Sequence, residues 1–304
     1  MAIAAEDAQR TRAAALSPTR QNIREFLDRR VAVAGLALLG AVLFIAIAAP
    51  WISPTNPYDL TRIELLDALL KPGQPGIDGR VYTLGSDGQG RDMLSAIFYG
   101  LRTSLLVGVA SGVGALAIGL AVGLVAAYFG GWIDIVISRL VDLQLSIPSI
   151  LVALVLLALF GQGVGKIIAA LIVVQWAFYA RTVRGAAMVE RRREYVEAAI
   201  CLGLGKRRVM FKHMLRNCLP PVIVVATVQV GNAIALEATL SFLGLGLPIT
   251  QPSLGLLIAN GFEYILSGRY WISVFPGLAL LVTIVAINLV GDRLRDVLNP
   301  RLRR

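Results

Sequence analysis

The chain has 304 residues, of which 57% are hydrophobic and only 16% are charged, and its mean hydropathy is +0.72. This composition is typical of a membrane protein with several spans and excludes the two soluble domains that the length alone would allow. The formal net charge of +10 does not indicate a nucleic-acid partner, because the basic residues flank apolar runs, where they contact membrane lipid. The single histidine, His213, excludes a histidine-based catalytic or metal site.

Long apolar runs predict six membrane spans. Residues 1–30 form a mixed-charge tail, residues 31–58 the first span, and residues 59–102 a loop on the outer side. The five further spans are residues 103–133, 143–165, 167–180, 217–236 and 270–291. Pro148 interrupts the third span, which a packed membrane helix tolerates.

The distribution of Lys and Arg predicts the orientation. Residues 181–221, the basic loop, contain ten Lys and Arg and only three acids. Six spans with both termini in the cytosol place the basic loop and most of the 29 basic residues inside. This orientation requires that residues 238–262, which are rich in Gly and Pro, form a re-entrant or surface element rather than a span.

Polar residues inside the spans are few, so each is a functional candidate. Gln175, Gln229 and Asn232 are candidates for a translocation path, and hydrogen bonding between helices is the alternative. The spans contain no series of acids or histidines, which counts against an ion-coupled secondary transporter, and no group of residues indicates catalysis. Asp142 is expected to pair with Arg139, one helical turn earlier.

Small residues recur through the second predicted span at positions 111–123, which predicts close packing between helices. The outer loop ends in a glycine-rich segment with a charged cluster of Asp87, Arg91 and Asp92 around Gly90. One interpretation is a site for a cation, a solute or a partner. The other is a self-satisfied turn that leads into the second span.

The basic loop has a helical pattern of its own. Residues 190–200 contain no helix breaker, Gly203 and Gly205 predict a stop, and residues 206–215 carry apolar residues at helical spacing. The pattern predicts two short cytosolic helices joined by a glycine turn. They form either an amphipathic element on the membrane surface or a docking element for a cytosolic partner.

The residues Glu197-Ala198-Ala199, followed by Gly203 and a hydrophobic, basic helix, resemble the EAA loop of ABC importer permeases. Arg216 stands where that family usually has proline. Three further segments are similar to the C-type permeases of dipeptide and oligopeptide transporters, namely residues 86–105, 237–255 and 275–301. The resemblance implies an all-α type I ABC importer permease with six transmembrane helices, whose transmembrane domain is residues 103–304.

The resemblance also implies partners. These are a B-type permease in a heterodimer, two ATPase subunits, and an external solute-binding protein at the bacterial inner membrane. The residues that it assigns to ATPase coupling are Glu194, Tyr195, Glu197, Ala198, Ala199, Gly203 and Gly205. ATP and magnesium are expected on the ATPase subunits, with no cofactor or catalysis on this chain. The expected solutes are peptides or the nickel, glutathione, opines or sugars that relatives of the family carry.

Overall fold

The computed structural model describes residues 24–59 and 64–298. The rest of the predicted N-terminal tail and the last six residues lie outside the described part. The helices are α1 Arg30–Ile52, α2 Met93–Phe129, α3 Gly131–Ser146, α4 Ser149–Phe160, α5 Val164–Arg191, α6 Glu194–Cys201, α7 Lys206–Arg208, α8 Leu215–Phe242, α9 Leu254–Phe262 and α10 Trp271–Leu298. The outer loop adds a 3₁₀ turn, Leu65–Asp67, and a hairpin of β1 Gln74–Pro75 and β2 Val81–Tyr82. A second 3₁₀ turn, Ile265–Ser267, precedes α10.

Five helices of the described part are long and apolar enough to cross a membrane, and the bent pair α3–α4 raises the number to as many as six. The five are α1, α2, α5, α10 and the helical stretch Lys206–Phe242. The predicted number of spans is therefore reached when α3 and α4 form one broken span. Helix α9 has only nine residues, which agrees with the prediction that residues 238–262 do not cross the membrane.

The interruption predicted at Pro148 within residues 143–165 is a sharp bend, since the chain turns by 87° between α3 and α4. Pro148 disfavours a helical conformation of the preceding residue, and Ile147 is extended. The predicted ion pair of Asp142 also differs. Asp142 pairs with Arg181 of α5 rather than with Arg139.

The basic loop is more helical than predicted. Helix α5 does not end at Ala180 but continues to Arg191, into the basic loop. The second short helix of the prediction is not separate either, since α7 continues through a π-helical turn, Val209–Met214, into α8. Pro220 and Pro221 lie inside α8 rather than before it. A membrane helix tolerates proline where neighbouring helices and side chains satisfy the backbone groups that it leaves unpaired.

Small residues bring α2 and α5 into backbone contact, as predicted for close packing. A Cβ added to Gly119 would lie 2.3 Å from the Cβ of Tyr179, and one added to Gly123 would lie 2.7 Å from the carbonyl oxygen of Ala180. Lipid tails are as apolar as the helices, so this close approach, rather than a hydrophobic driving force, holds the two helices together.

We expect Gly119→Ala to destabilise the folded protein by about 1–3 kcal/mol, because the added methyl group has no space. The measurement is the thermal unfolding temperature of the purified protein in detergent. Gly40→Ala is the matched control, since Gly40 lies in α1 with no atom within 4 Å of its Cβ position. Equal unfolding temperatures for the two variants would contradict this account of the α2–α5 contact.

Candidate functional site

Helix α6 is fixed to the bundle by one face and exposed on the other. Val196 and Ala199 are buried in a cluster with Val183 of α5, Val209 and Met214. The exposed residues of α6 that the sequence assigns to coupling are Glu194, Glu197 and Ala198. The helix therefore presents a free surface while its packing connects that surface to the spanning helices.

The structure separates the two alanines that the EAA resemblance places together. Ala198 is exposed, but Ala199 is only 5% exposed and packs inside the chain. Ala199 follows Val196 by three residues, so both lie on the same face of the helix. The small side chain of Ala199 therefore serves packing within the chain, and its assignment to ATPase coupling stays a prediction.

Gly203 and Gly205 form the turn after α6. Gly203 has φ +70°, and its N–H donates to the carbonyl of Ile200 at 2.9 Å, while the N–H of Leu204 donates to the carbonyl of Ala199 at 3.2 Å. These two bonds are the helix C-cap that favours glycine. The carbonyl of Gly205 in turn accepts the N–H of Arg208 at 2.9 Å at the start of α7.

Tyr195 connects three helices through its hydroxyl. The Tyr195 hydroxyl donates to Oε2 of Glu190 at 2.6 Å, and Nδ2 of Asn217 donates to the Tyr195 hydroxyl at 2.9 Å and to the same Glu190 oxygen at 3.2 Å. Burial and the bond to the Glu190 carboxylate raise the pKa of Tyr195. Tyr195 thus ties α6 to α5 and α8, and the sequence did not single out Glu190 or Asn217.

The charged cluster of the outer loop forms a turn that its own contacts hold, although Nη2 of Arg91 is buried without a hydrogen-bond partner among the described residues. Asp87 and Arg91 are both buried, with 2.7 Å between Oδ2 of Asp87 and Nε of Arg91. The other oxygen of Asp87 accepts the backbone N–H groups of Gln89 and Arg91, each at 2.9 Å. Nη1 of Arg91 donates to the carbonyl of Ile249 at 3.0 Å, which ties the outer loop to the α8–α9 connection.

The other two residues of this cluster also have structural roles. Gly90 has φ +80° and closes the turn, and its N–H donates to the carbonyl of Asp87 at 3.1 Å. Asp92 caps α2 by accepting the N–H of Ser95 at 2.8 Å. Among the described residues no group of three or more His, Cys, Asp or Glu is placed to hold a metal ion. The contacts favour the turn over an open site for a cation or solute.

The three candidate path residues come together in one cavity of about 300 Å³ between α4, α5 and α8. Nε2 of Gln175 lies 3.5 Å from the carbonyl oxygen of Gln229, and Nδ2 of Asn232 donates to Oε1 of Gln229 at 2.7 Å. Ser149 and Thr239 also line this cavity, which we call the amide cavity. The sequence missed both, because small hydroxyl residues are common in membrane helices.

The spanning bundle, the exposed face of α6 and an uncharged polar cavity are features expected of a permease subunit of a membrane transporter. Residues 119–304 match the family described as "Binding-protein-dependent transport system inner membrane component", and residues 17–72 match the "N-terminal TM domain of oligopeptide transport permease C". The chain therefore belongs to the binding-protein-dependent transport system inner membrane component family, as a C-type, multi-pass permease of an ABC importer. This membership favours the ABC permease over the ion-coupled transporter.

Relatives named as peptide permeases align over nearly the whole chain. A dipeptide transport system permease protein of Escherichia coli K12 is 41% identical over 95% of this chain and 95% of its own length. A di/tripeptide transport system permease protein of Pseudomonas aeruginosa is 38% identical over 94% of this chain and 93% of its own. An inward-facing structure of the MetNI methionine ABC transporter contains a chain with the same fold, with a TM-score of 0.56 and 22% identity over 68% of this chain and 98% of that one.

Proposed function

We propose that this chain forms half of the translocation path for dipeptides or similarly short peptides. It pairs with a B-type permease, receives the solute from an external solute-binding protein, and is driven by two ATPase subunits in the cytosol. Relatives named as dipeptide permeases, which align with more than nine-tenths of the chain, support this substrate class. The chain itself catalyses nothing in this assembly, and ATP and magnesium belong to the ATPase subunits.

The observation that carries the proposal is the two-faced environment of α6. Its outer face, with Glu194, Glu197 and Ala198, docks on an ATPase subunit, next to Ile200 and Leu202, which are 49% and 79% exposed. Exposed apolar side chains beside a charged rim are typical of a protein interface. The inner face transmits ATPase movement to α5 and α8 through its buried contacts and the hydroxyl of Tyr195.

In this mechanism both termini and the basic loop lie in the cytosol. Closure of the ATPase subunits around ATP moves α6, and the spanning helices tilt to open the path alternately to the two sides of the membrane. The close contact between Gly119 of α2 and α5 lets these helices move as one unit. The alternating motion delivers the peptide from the binding protein to the cytosol.

Cysteine crosslinking in the assembled transporter tests the docking face. We expect Glu194→Cys, in a Cys201→Ser background that removes the exposed native thiol, to crosslink to a cysteine on the ATPase surface. Ala199→Cys in the same background is the matched control and should not crosslink, because position 199 faces the core. Equal crosslinking at both positions would contradict the assignment of the Glu194 side of α6 as the docking face. Labelling of Glu194→Cys by an impermeant thiol reagent outside intact cells would contradict the orientation.

A further inference from the structure

The amide cavity lies near the middle of two membrane helices. Gln175 occupies a central position in the 28 residues of α5, and Gln229 and Asn232 do so in the 28 residues of α8. At a rise of about 1.5 Å per residue these side chains are far from both ends of their helices. Gln175 also lies within the predicted span 167–180, and Gln229 and Asn232 lie within the predicted span 217–236. Polar groups inside a span are costly in hydrocarbon and mark either contacts between helices or a solute path.

Hydrogen bonding between helices does not account for the buried amide of Gln175. Its side chain is 3% exposed, yet its Nε2 reaches the carbonyl of Gln229 only at 3.5 Å, the outer limit of a hydrogen bond. Its Oε1 is buried and has no hydrogen-bond partner in the described part of the chain. An unpaired buried acceptor costs about 1–3 kcal/mol, so this oxygen is a destabilising feature unless something else uses it.

The lining of the amide cavity is polar but uncharged. Of the nine described residues that line it, five carry an amide or a hydroxyl and none carries a charge: Ser149, Gln175, Gln229, Asn232 and Thr239. The break at Pro148 matters here, because it starts α4 at Ser149 and brings that hydroxyl to the same cavity as the amides. The apolar remainder of the lining includes Phe178 and Leu236.

We propose that the amide cavity contacts the main-chain peptide group of the transported solute, with Oε1 of Gln175 accepting the N–H of the peptide bond. Gln175 lines the cavity, and rotation about the soft torsion of its terminal amide is the movement by which this oxygen would reach a solute there. The inference rests on the proposed function and adds the chemical group that the path recognises.

Two properties of the amide cavity fit this ligand. Its volume of about 300 Å³ is at the lower end of ligand sites, which suits one peptide unit rather than a long chain. Its lack of charge suits a group that all peptides share, since a buried ion would favour or repel particular side chains strongly. Neutral hydrogen bonds of about 0.5–1.5 kcal/mol are also weak enough to release the solute.

The test compares two dipeptides in the complete transporter, reconstituted in proteoliposomes with its ATPase subunits and solute-binding protein. One is Ala-Ala, and the other is Ala-Ala methylated at the peptide nitrogen, which lacks the N–H. We expect Gln175→Met to lower the rate of Ala-Ala uptake about 3- to 10-fold, equivalent to one hydrogen bond, and to leave uptake of the methylated peptide unchanged. The preference for Ala-Ala over the methylated peptide then falls by the same factor.

Gln144→Met is the matched control, because Gln144 lies on α3 and does not line the amide cavity. It should leave both rates unchanged. Parallel loss of both uptake rates in Gln175→Met would overturn the inference, since it would assign Gln175 to helix packing. A wild-type transporter that neither imports Ala-Ala nor shows ATP hydrolysis stimulated by the dipeptide-loaded binding protein would instead overturn the proposed function.

A second measurement does not depend on the folding of the Gln175 variant. Ser149→Cys, in the Cys201→Ser background, places a thiol at an exposed position of the amide cavity. Ala-Ala present during turnover should slow alkylation of this thiol, while ATP hydrolysis without peptide should not. Alkylation that proceeds at the same rate with and without peptide would overturn the inference.

Discussion

Charge reversal at the exposed face of α6, by Glu197→Lys, is expected to abolish uptake and substrate-stimulated ATP hydrolysis while the protein still inserts into the membrane. Glu197 is exposed, and its carboxylate has no ion pair or side-chain hydrogen bond with any described residue. The substitution therefore leaves the chain's own packing intact. A misplaced charge at a docked surface costs about 2–5 kcal/mol, which corresponds to a 30- to 5,000-fold loss of coupling.

The measurement is ATP hydrolysis and peptide uptake in the reconstituted transporter. Glu263→Lys makes the same change in charge at an exposed acid that follows α9, at the opposite end of α8 from α6. It should leave the coupling of ATP hydrolysis to uptake intact. If Glu197→Lys coupled the two at the wild-type rate, α6 would not be the docking element.

Removal of the buried carboxylate in the outer loop, by Asp87→Ala, is expected to destabilise the protein by about 3–5 kcal/mol. The variant leaves the guanidinium of Arg91 buried and unpaired, and it also removes the acceptor for two backbone N–H groups. Because Arg91 also bonds to the carbonyl of Ile249, the damage should extend to the α8–α9 connection. Unfolding in denaturant and proteolysis of the outer loop measure the effect.

The same loop offers an exposed ion pair as the control. Asp78 and Arg80 lie 2.9 Å apart, but their side chains are 39% and 57% exposed. Asp78→Ala should cost only about 0–1 kcal/mol, because water already solvates both charges. Comparable destabilisation by the two variants would show that burial of Asp87 and Arg91 does not govern the stability of this loop.

Much of the architecture could be predicted from local sequence. Apolar runs reveal spans because a bilayer demands about twenty apolar residues in succession, and the small residues of α2 predicted the close contact that Gly119 makes with α5. The predicted boundaries of the spans agreed less well with the helices of the structure. Helix α5 extends to Arg191 because a helix that leaves the membrane need not end there, and nothing in residues 181–191 breaks it.

Identifying the functional residues depended more on the tertiary structure than identifying the spans did. The EAA resemblance found α6, but only packing separates exposed Glu197 from buried Ala199, since the faces of a short helix are assigned by what lies beneath it. The sequence left open whether the outer cluster is a turn or an open site. One contact that favours the turn joins Arg91 to the carbonyl of Ile249, which lies 158 residues further along the chain.

The sequence by itself determined the class of this protein: a membrane chain with several spans at approximate positions and a basic loop between two of them. These properties depend on composition and on spacing within single segments. The tertiary structure alone decided which polar groups meet. Gln175 and Gln229 are 54 residues apart and share the amide cavity only because α5 packs against α8, and Ser149 joins them only because the chain bends at Pro148. Contacts between distant segments follow from how helices pack, and a linear pattern does not record that packing.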